Sequence, residues 1–254
     1  MGYYKREIRS GKVLETLYYY SLRQPGKKFG RGGNWKKTSE AQAVRNYLGA
    51  KQKLSRLVNA NFSPGDTYIS PTYRDDEALP TPAQAKADLK KYLRAIREYG
   101  RKTGATIKRV AVTEYREGAR PHHHLIMSGI PPETARLLWQ TEPDPKCKGK
   151  RRPWGNHGRA PNDTLDYSYD WQFLAKYIAK EDKPGEHRWT ASRNLTPPDI
   201  GEPKEISRAA MTKASRDPKA PKGYRIIGWD YRAGADGNEV LYIRCIEHQK
   251  EGTG

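Results

Sequence analysis

An α+β fold built on an antiparallel sheet is predicted, and two observations predict it. First, β-prone runs come in neighbouring pairs joined by turn residues, as in "GYYKREIRSGKVLETLYYY" and "GYRIIGWDYRAGADGNEVLYIRCIE". Second, the segments between such pairs carry apolar residues at helical spacing, with strands and helices mixed and no internal repeat.

The elements follow in chain order. Residues 2–20 read as a hairpin turning at Ser10-Gly11. The Gly- and Lys-rich "QPGKKFGRGGNWKK" reads as a mobile linker. The expected division is therefore 1–37, an N-terminal hairpin and basic linker, and 38–254, the main domain with a C-terminal hairpin extension. Thr38-Ser39-Glu40 offers capping chemistry to a helix whose apolar face holds Leu48, Leu54, Leu57 and Val58, ending near "NANFSPGD". "DTYISPTYR" is a strand in which Pro71 implies an edge position or a bulge. In "AQAKADLKKYLRAIREYG" the residues Leu89, Tyr92, Leu93 and Ile96 repeat at helical spacing, and Gly100 reads as the cap. "ATIKRVAVTEY" and "HHHLIMSG" are two strands joined by "REGARP". A helix over Pro132–Gln140 leads into a basic loop, and "DYSYDWQFLAKYIAKED" is a helix with Trp171, Leu174, Ala175 and Ile178 on one face. Pro184 to Lys222 is a polar stretch with no element assigned, and Asp236-Gly237 turns the last hairpin.

Lys and Arg total 48 against 29 Asp and Glu, a formal charge of +19. A field of that sign draws polyanions, nucleic acid above all. "KCKGKRRPWGNHGR" concentrates it, and a Trp among cations suits base stacking beside phosphates. Arg151, Arg152 and Trp154 are accordingly candidate DNA contacts, with Arg188 and Arg193 of "HRWTASRN" as two more. Cys147 and Cys245 have no neighbouring cysteine, which excludes a Cys-rich zinc knuckle and suits a reducing compartment. No apolar run approaches membrane-spanning length, so a soluble cytoplasmic protein with no membrane partner is expected.

Three of the six histidines are consecutive, in "EYREGARPHHHLIMSG". Alternate residues of a strand share a face, so His122 and His124 point one way, roughly 7 Å apart, and His123 the other. His123 shares its face with Leu125 and Met127 and is expected to be a satisfied, semi-buried histidine. Across the hairpin Glu114 can reach the His122–His124 face. Two imidazoles and a carboxylate form a mixed N/O donor set suited to a divalent metal, Mn²⁺ or Mg²⁺.

On "WQFLAKYIAKE", Tyr177 flanks the apolar stripe and Lys180, three residues on, is its neighbour. A phenol, with a usual pKa of about 10, is a poor nucleophile at neutral pH. A nearby ammonium and a divalent cation both favour the phenolate. In-line attack on a phosphodiester then gives a phosphotyrosine, a bond kept rather than hydrolysed and therefore reversible.

Together these residues resemble the HUH endonuclease superfamily, and within it the rolling-circle replication initiators of filamentous phages, related plasmids and prophages. "GARPHHHLI" is similar to the metal motif, with Glu114 at the position of the third ligand, and "KYIAK" is similar to the Tyr-x-x-Lys motif. "TYISPTYR" resembles the first, strand-forming motif, while "NFSPGD" before it and "RWTASRNLTPP" after the tyrosine helix resemble flanking segments. The likeness runs from Thr38 to Ile246. It departs where His123 replaces an aliphatic residue and where Pro71 interrupts the first motif. The metal pair precedes the tyrosine, as in initiators, and Tyr169 lies about two turns upstream, so a single nucleophile is expected.

The resemblance implies a ferredoxin-like, RNA-recognition-motif-like sheet over 38–254, with the metal at His122, His124 and Glu114. It implies nicking of single-stranded DNA at a replication origin, a hairpin among its forms, and strand transfer through a 5′-phosphotyrosine on Tyr177. Lys180 would orient the phosphate or assist the phenolate. The freed 3′-OH would prime a host polymerase, with host helicase acting indirectly, in the bacterial cytoplasm. Two other readings use the same residues: a non-enzymatic basic nucleic-acid-binding protein, and an HUH-type transposase.

Overall fold

The structure is a computed structural model. It describes residues 1–22, 40–74, 78–115, 118–140, 157–158, 164–178, 189–234 and 239–248, with side chains except at 40–48 and 157–158. The expected linker, the basic loop with Arg151, Arg152 and Trp154, and the residues Lys180 and Arg188 lie outside the described residues.

The elements are, in order, β1 (Gly2–Ser10), β2 (Val13–Ser21), α1 (Glu40–Asn61), β3 (Thr67–Pro71), α2 (Pro82–Thr103), β4 (Lys108–Glu114), β5 (His122–Ser128) and α3 (Pro132–Leu137). There follow β6 (His157–Gly158), α4 (Gln172–Ile178), β7 (Trp189–Ala191), β8 (Asp199–Ile200), β9 (Lys204–Ile206), α5 (Arg208–Arg216), β10 (Tyr224–Ala233) and β11 (Glu239–Glu247). The fold is α+β with antiparallel sheets, as expected, and is compatible with the HUH endonuclease fold. The chain divides into two compact units: Met1–Ser39 with Pro197–Gly254, and Glu40–Thr196.

In the Glu40–Thr196 unit the strand order is β6-β3-β5-β4-β7. The two-residue period of the strands sorts side chains onto two faces. Ile69, Ala111, Leu125 and Met127 meet Leu89, Tyr92, Leu93 and Ile96 of α2 on one face. Val110, Val112 and Ile126 meet Leu54 and Val58 of α1 and Ala175 and Ile178 of α4 on the other. α2 starts where Thr81 Oγ1 accepts the Gln84 N–H at 3.2 Å, with Pro82 in the first turn. It ends at Gly104 (φ 72°), one turn later than predicted. Gly100 lies inside the helix because a Cβ there would come within 2.9 Å of the Ala105 carbonyl oxygen. Close packing, not termination, requires that glycine.

Pro71 departs from expectation too. β3 is internal, between β5 and β6. Its pairing with β5 covers Thr67–Ile69, lapses at Ser70 and Pro71, and returns as the single bridge Thr72–His122. A proline has no N–H to give to a ladder, which accounts for the lapse.

In the other unit the β1–β2 and β10–β11 hairpins join edge to edge through β2 and β11, while β8 and β9 both pair with β1. Ser207 caps α5, which lays Met211 against Leu14, Leu241, Ile243 and Cys245. The polar stretch left unassigned from sequence thus supplies β7, β8, β9 and α5. Among the described residues, no helix is long and apolar enough to cross a membrane.

Candidate active site

The β4–β5 register sets Glu114 directly opposite His122, and Val112 opposite His124. Glu114 Oε2 consequently lies 3.0 Å from His122 Nε2 and 3.4 Å from His124 Nε2. One ligand atom from each of the three residues fits within a 4.8 Å span. Glu114 and His124 are buried, whereas the His122 side chain is 30% exposed.

This group suits a divalent cation. A carboxylate buried among imidazoles carries a charge that costs free energy unless compensated, and a bound cation compensates it. The partly exposed His122 leaves the group open to solvent on that side. Mixed imidazole and carboxylate donors suit a divalent cation without selecting which one.

His124 is held from behind by β3. Its Nδ1 lies 2.9 Å from Ser70 Oγ and 3.2 Å from the Tyr68 hydroxyl. With Nδ1 engaged there, Nε2 is the nitrogen that faces Glu114. In a metal-bound state Nδ1–H would donate to these oxygens and leave the Nε2 lone pair to the ion. Burial is the main reason the Tyr68 phenol is pushed up to about 12, so it stays protonated near neutrality. Neither Tyr68 nor Ser70 was singled out from sequence. The signal was their alternation in "TYISP", which puts both on one strand face.

Ser70→Ala is expected to weaken Mn²⁺ binding roughly 10- to 100-fold, the usual effect of losing a partner behind a ligand histidine. Titration calorimetry checks it, and unchanged affinity would remove Ser70 from the site.

His123 faces the opposite core. It is fully buried, with Nδ1 2.9 Å from Thr113 Oγ1 and Nε2 3.3 Å from the Tyr73 hydroxyl. Its ring meets that of Trp139 edge-on, centroids 5.3 Å apart. Burial, then the neighbouring His122 and His124, hold its pKa down to about 3, so it is a neutral core residue.

Tyr177 comes from α4, which is fixed to α1 at its start. The Trp171 N–H donates to Asn59 Oδ1 at 3.0 Å, and Asn59 Nδ2 donates to Asp170 Oδ1 at 3.3 Å. Tyr169 adopts a left-handed φ of 56° in the turn before the helix, so it does not extend α4. At the far end of α4 the Tyr177 ring stands edge-on to His124, centroids 5.8 Å apart and planes at 74°. The phenol is therefore on the ligand face of the sheet, and Tyr177 is 52% exposed. Arg193 is exposed and lies near the opposite end of β4 from Glu114, because β7 pairs Ala191 with Val110.

Fold and site together define an α+β protein whose antiparallel sheet carries a largely buried Glu/His/His group able to hold a cation, with an accessible tyrosine beside it. Residues 66–182 match the family model of the replication-associated protein ORF2/G2P. No curated protein and no solved structure matches the chain. The match takes in β3, the histidine hairpin and α4, and it supports a role in replication initiation with DNA as the partner.

Proposed function

We propose that the protein initiates rolling-circle replication by nicking single-stranded DNA at an origin and holding the 5′ end on Tyr177. The observation that carries this reading is the Tyr177 ring against His124, on the same side of the sheet as all three ligands. Glu114, His122 and His124 would hold Mn²⁺ or Mg²⁺. Such an ion, when bound, neutralises phosphodiester charge and so eases attack at phosphorus.

The chain's own residues do the rest. The Tyr177 oxygen bonds to phosphorus and its proton passes to water, while the P–O3′ bond breaks and the leaving oxygen takes a proton from water to become a 3′-hydroxyl. The reverse attack by a 3′-hydroxyl rejoins a strand, because the phosphotyrosine conserves the diester energy. Tyr68, protonated and hydrogen-bonded to His124, is no rival nucleophile. Lys180 would orient the phosphate or assist the phenolate. The 3′ end is then a primer for a host polymerase, with host helicase indirectly engaged, in a bacterial cytoplasm.

The test uses purified full-length protein with single-stranded oligonucleotides tiled across the origin of its replicon. With Mn²⁺ we expect an SDS-stable protein–DNA adduct and a product whose 3′ end a polymerase extends; EDTA abolishes both. Binding without an adduct on any oligonucleotide would leave a non-enzymatic binder.

A further inference from the structure

A groove of about 740 Å³ lies between the C-terminal half of α2, the start of β4 and the residues just after β7. Four arginines line it: Arg97, Arg101, Arg109 and Arg193. Arg101 is committed to Glu98, through Nη2 at 2.6 Å and Nε at 3.0 Å. Among the described residues, Arg97, Arg109 and Arg193 have no carboxylate partner. Among the same residues, Arg109 Nη1 is closed off from solvent and makes no hydrogen bond.

The groove is built, not incidental. The Arg109 N–H donates to Ser192 Oγ at 3.0 Å, and the Ser192 N–H returns a bond to the Arg109 carbonyl at 2.9 Å. Asn194 Nδ2 donates to the Ile107 carbonyl at 3.0 Å. These ties anchor the segment bearing Arg193 beside β4. Burial, then the charge of Arg97, push the Arg109 guanidinium below its usual range. Convergent cations with an enclosed, unpaired donor are costly unless an anion completes them. A guanidinium fork matches phosphate oxygens in pairs.

Arg109 is five residues from Glu114, about 17 Å along β4, and by strand alternation projects from the opposite face. This groove is therefore separate from the Glu114–His122–His124 site. We infer that it is a second phosphate site, in which Arg97, Arg109 and Arg193 grip the backbone of DNA several nucleotides from the phosphate at Tyr177. Only the choice of DNA as the source of that phosphate rests on the function proposed above. Contacts of this kind position a strand and read no sequence.

The test measures binding of a fluorescent single-stranded oligonucleotide by anisotropy, in EDTA so that no nicking intervenes. For Arg97→Gln with Arg193→Gln, both exposed positions, Kd should rise about tenfold. The slope of log affinity against log salt should flatten by about 1.4, at about 0.7 per lost phosphate contact on single strands. Arg109→Met should weaken binding likewise while its melting temperature holds or rises, which a merely structural arginine would not allow. Unchanged affinity and slope in the double variant would overturn the inference. So would unchanged DNA binding with lost binding of pyrophosphate, which would make the groove a small-anion site. If wild-type protein forms no adduct yet these losses appear, the nicking proposal fails and the groove stands.

Discussion

Tyr177→Phe is expected to bind an origin oligonucleotide as tightly as the wild type and to form no covalent adduct with it. The substitution keeps the ring that meets His124 edge-on and removes one oxygen from a half-exposed position. Folding and metal binding should therefore be unchanged, with a melting temperature close to that of the parent. Losing a nucleophile should lower nicking by at least about a thousandfold, as for other covalent catalysts. Among the described residues, no second phenol stands ready. Tyr68 is bound to His124 and pushed up to about 12, and Tyr169 sits in the turn before α4. Gel analysis under denaturing conditions decides the matter. An adduct that persists in the variant, mapped by peptide sequencing to another residue, would end the assignment of Tyr177.

How much of this site could be read from the chain depends on how local each relationship is. Glu114, His122 and His124 come together through strand alternation and one hairpin, both encoded in a single stretch, and the register pairs them as that stretch implies. His123 was separable from its neighbours by the same period. Ser70 and Tyr68 touch His124 only because β3 lies beside β5, and adjacency in a sheet is a property of the whole unit rather than of "TYISP". The Arg109 groove is non-local in the same way, joining Arg97 of α2, Arg109 of β4 and Arg193 of the segment after β7.

The misread elements have physical reasons as well. Gly100 looked like a helix end because glycine ends many helices, but here it allows close approach to the Ala105 backbone. Strands β8 and β9, of two and three residues, are too short to show any period. In α5 the single buried side chain is Met211, so no apolar stripe announced the helix. The pairing of β2 with β11 joins residues more than two hundred positions apart, where composition carries no trace of partner choice.

Glu114→Gln should remove both metal-dependent stabilisation and nicking while leaving the fold intact. In the wild type, Mn²⁺ at about 100 times its dissociation constant stabilises the folded state by about 2.7 kcal/mol. For a unit of this size that raises the melting temperature by roughly 5–10 °C. The carboxylate is the one anion in the ligand group, and an amide at the same place offers the ion only a neutral oxygen. The shift with Mn²⁺ should therefore vanish in the variant. Without metal the variant should be as stable as the wild type or more so. An amide can still hydrogen-bond to His122 and His124, and it spares the cost of burying a carboxylate charge. Scanning calorimetry of both proteins, with Mn²⁺ and with EDTA, supplies all four values. A full Mn²⁺ shift in the variant would show that Glu114 is no ligand. If nicking were lost alongside that full shift, the carboxylate would act on the substrate or on the Tyr177 proton instead of on the ion.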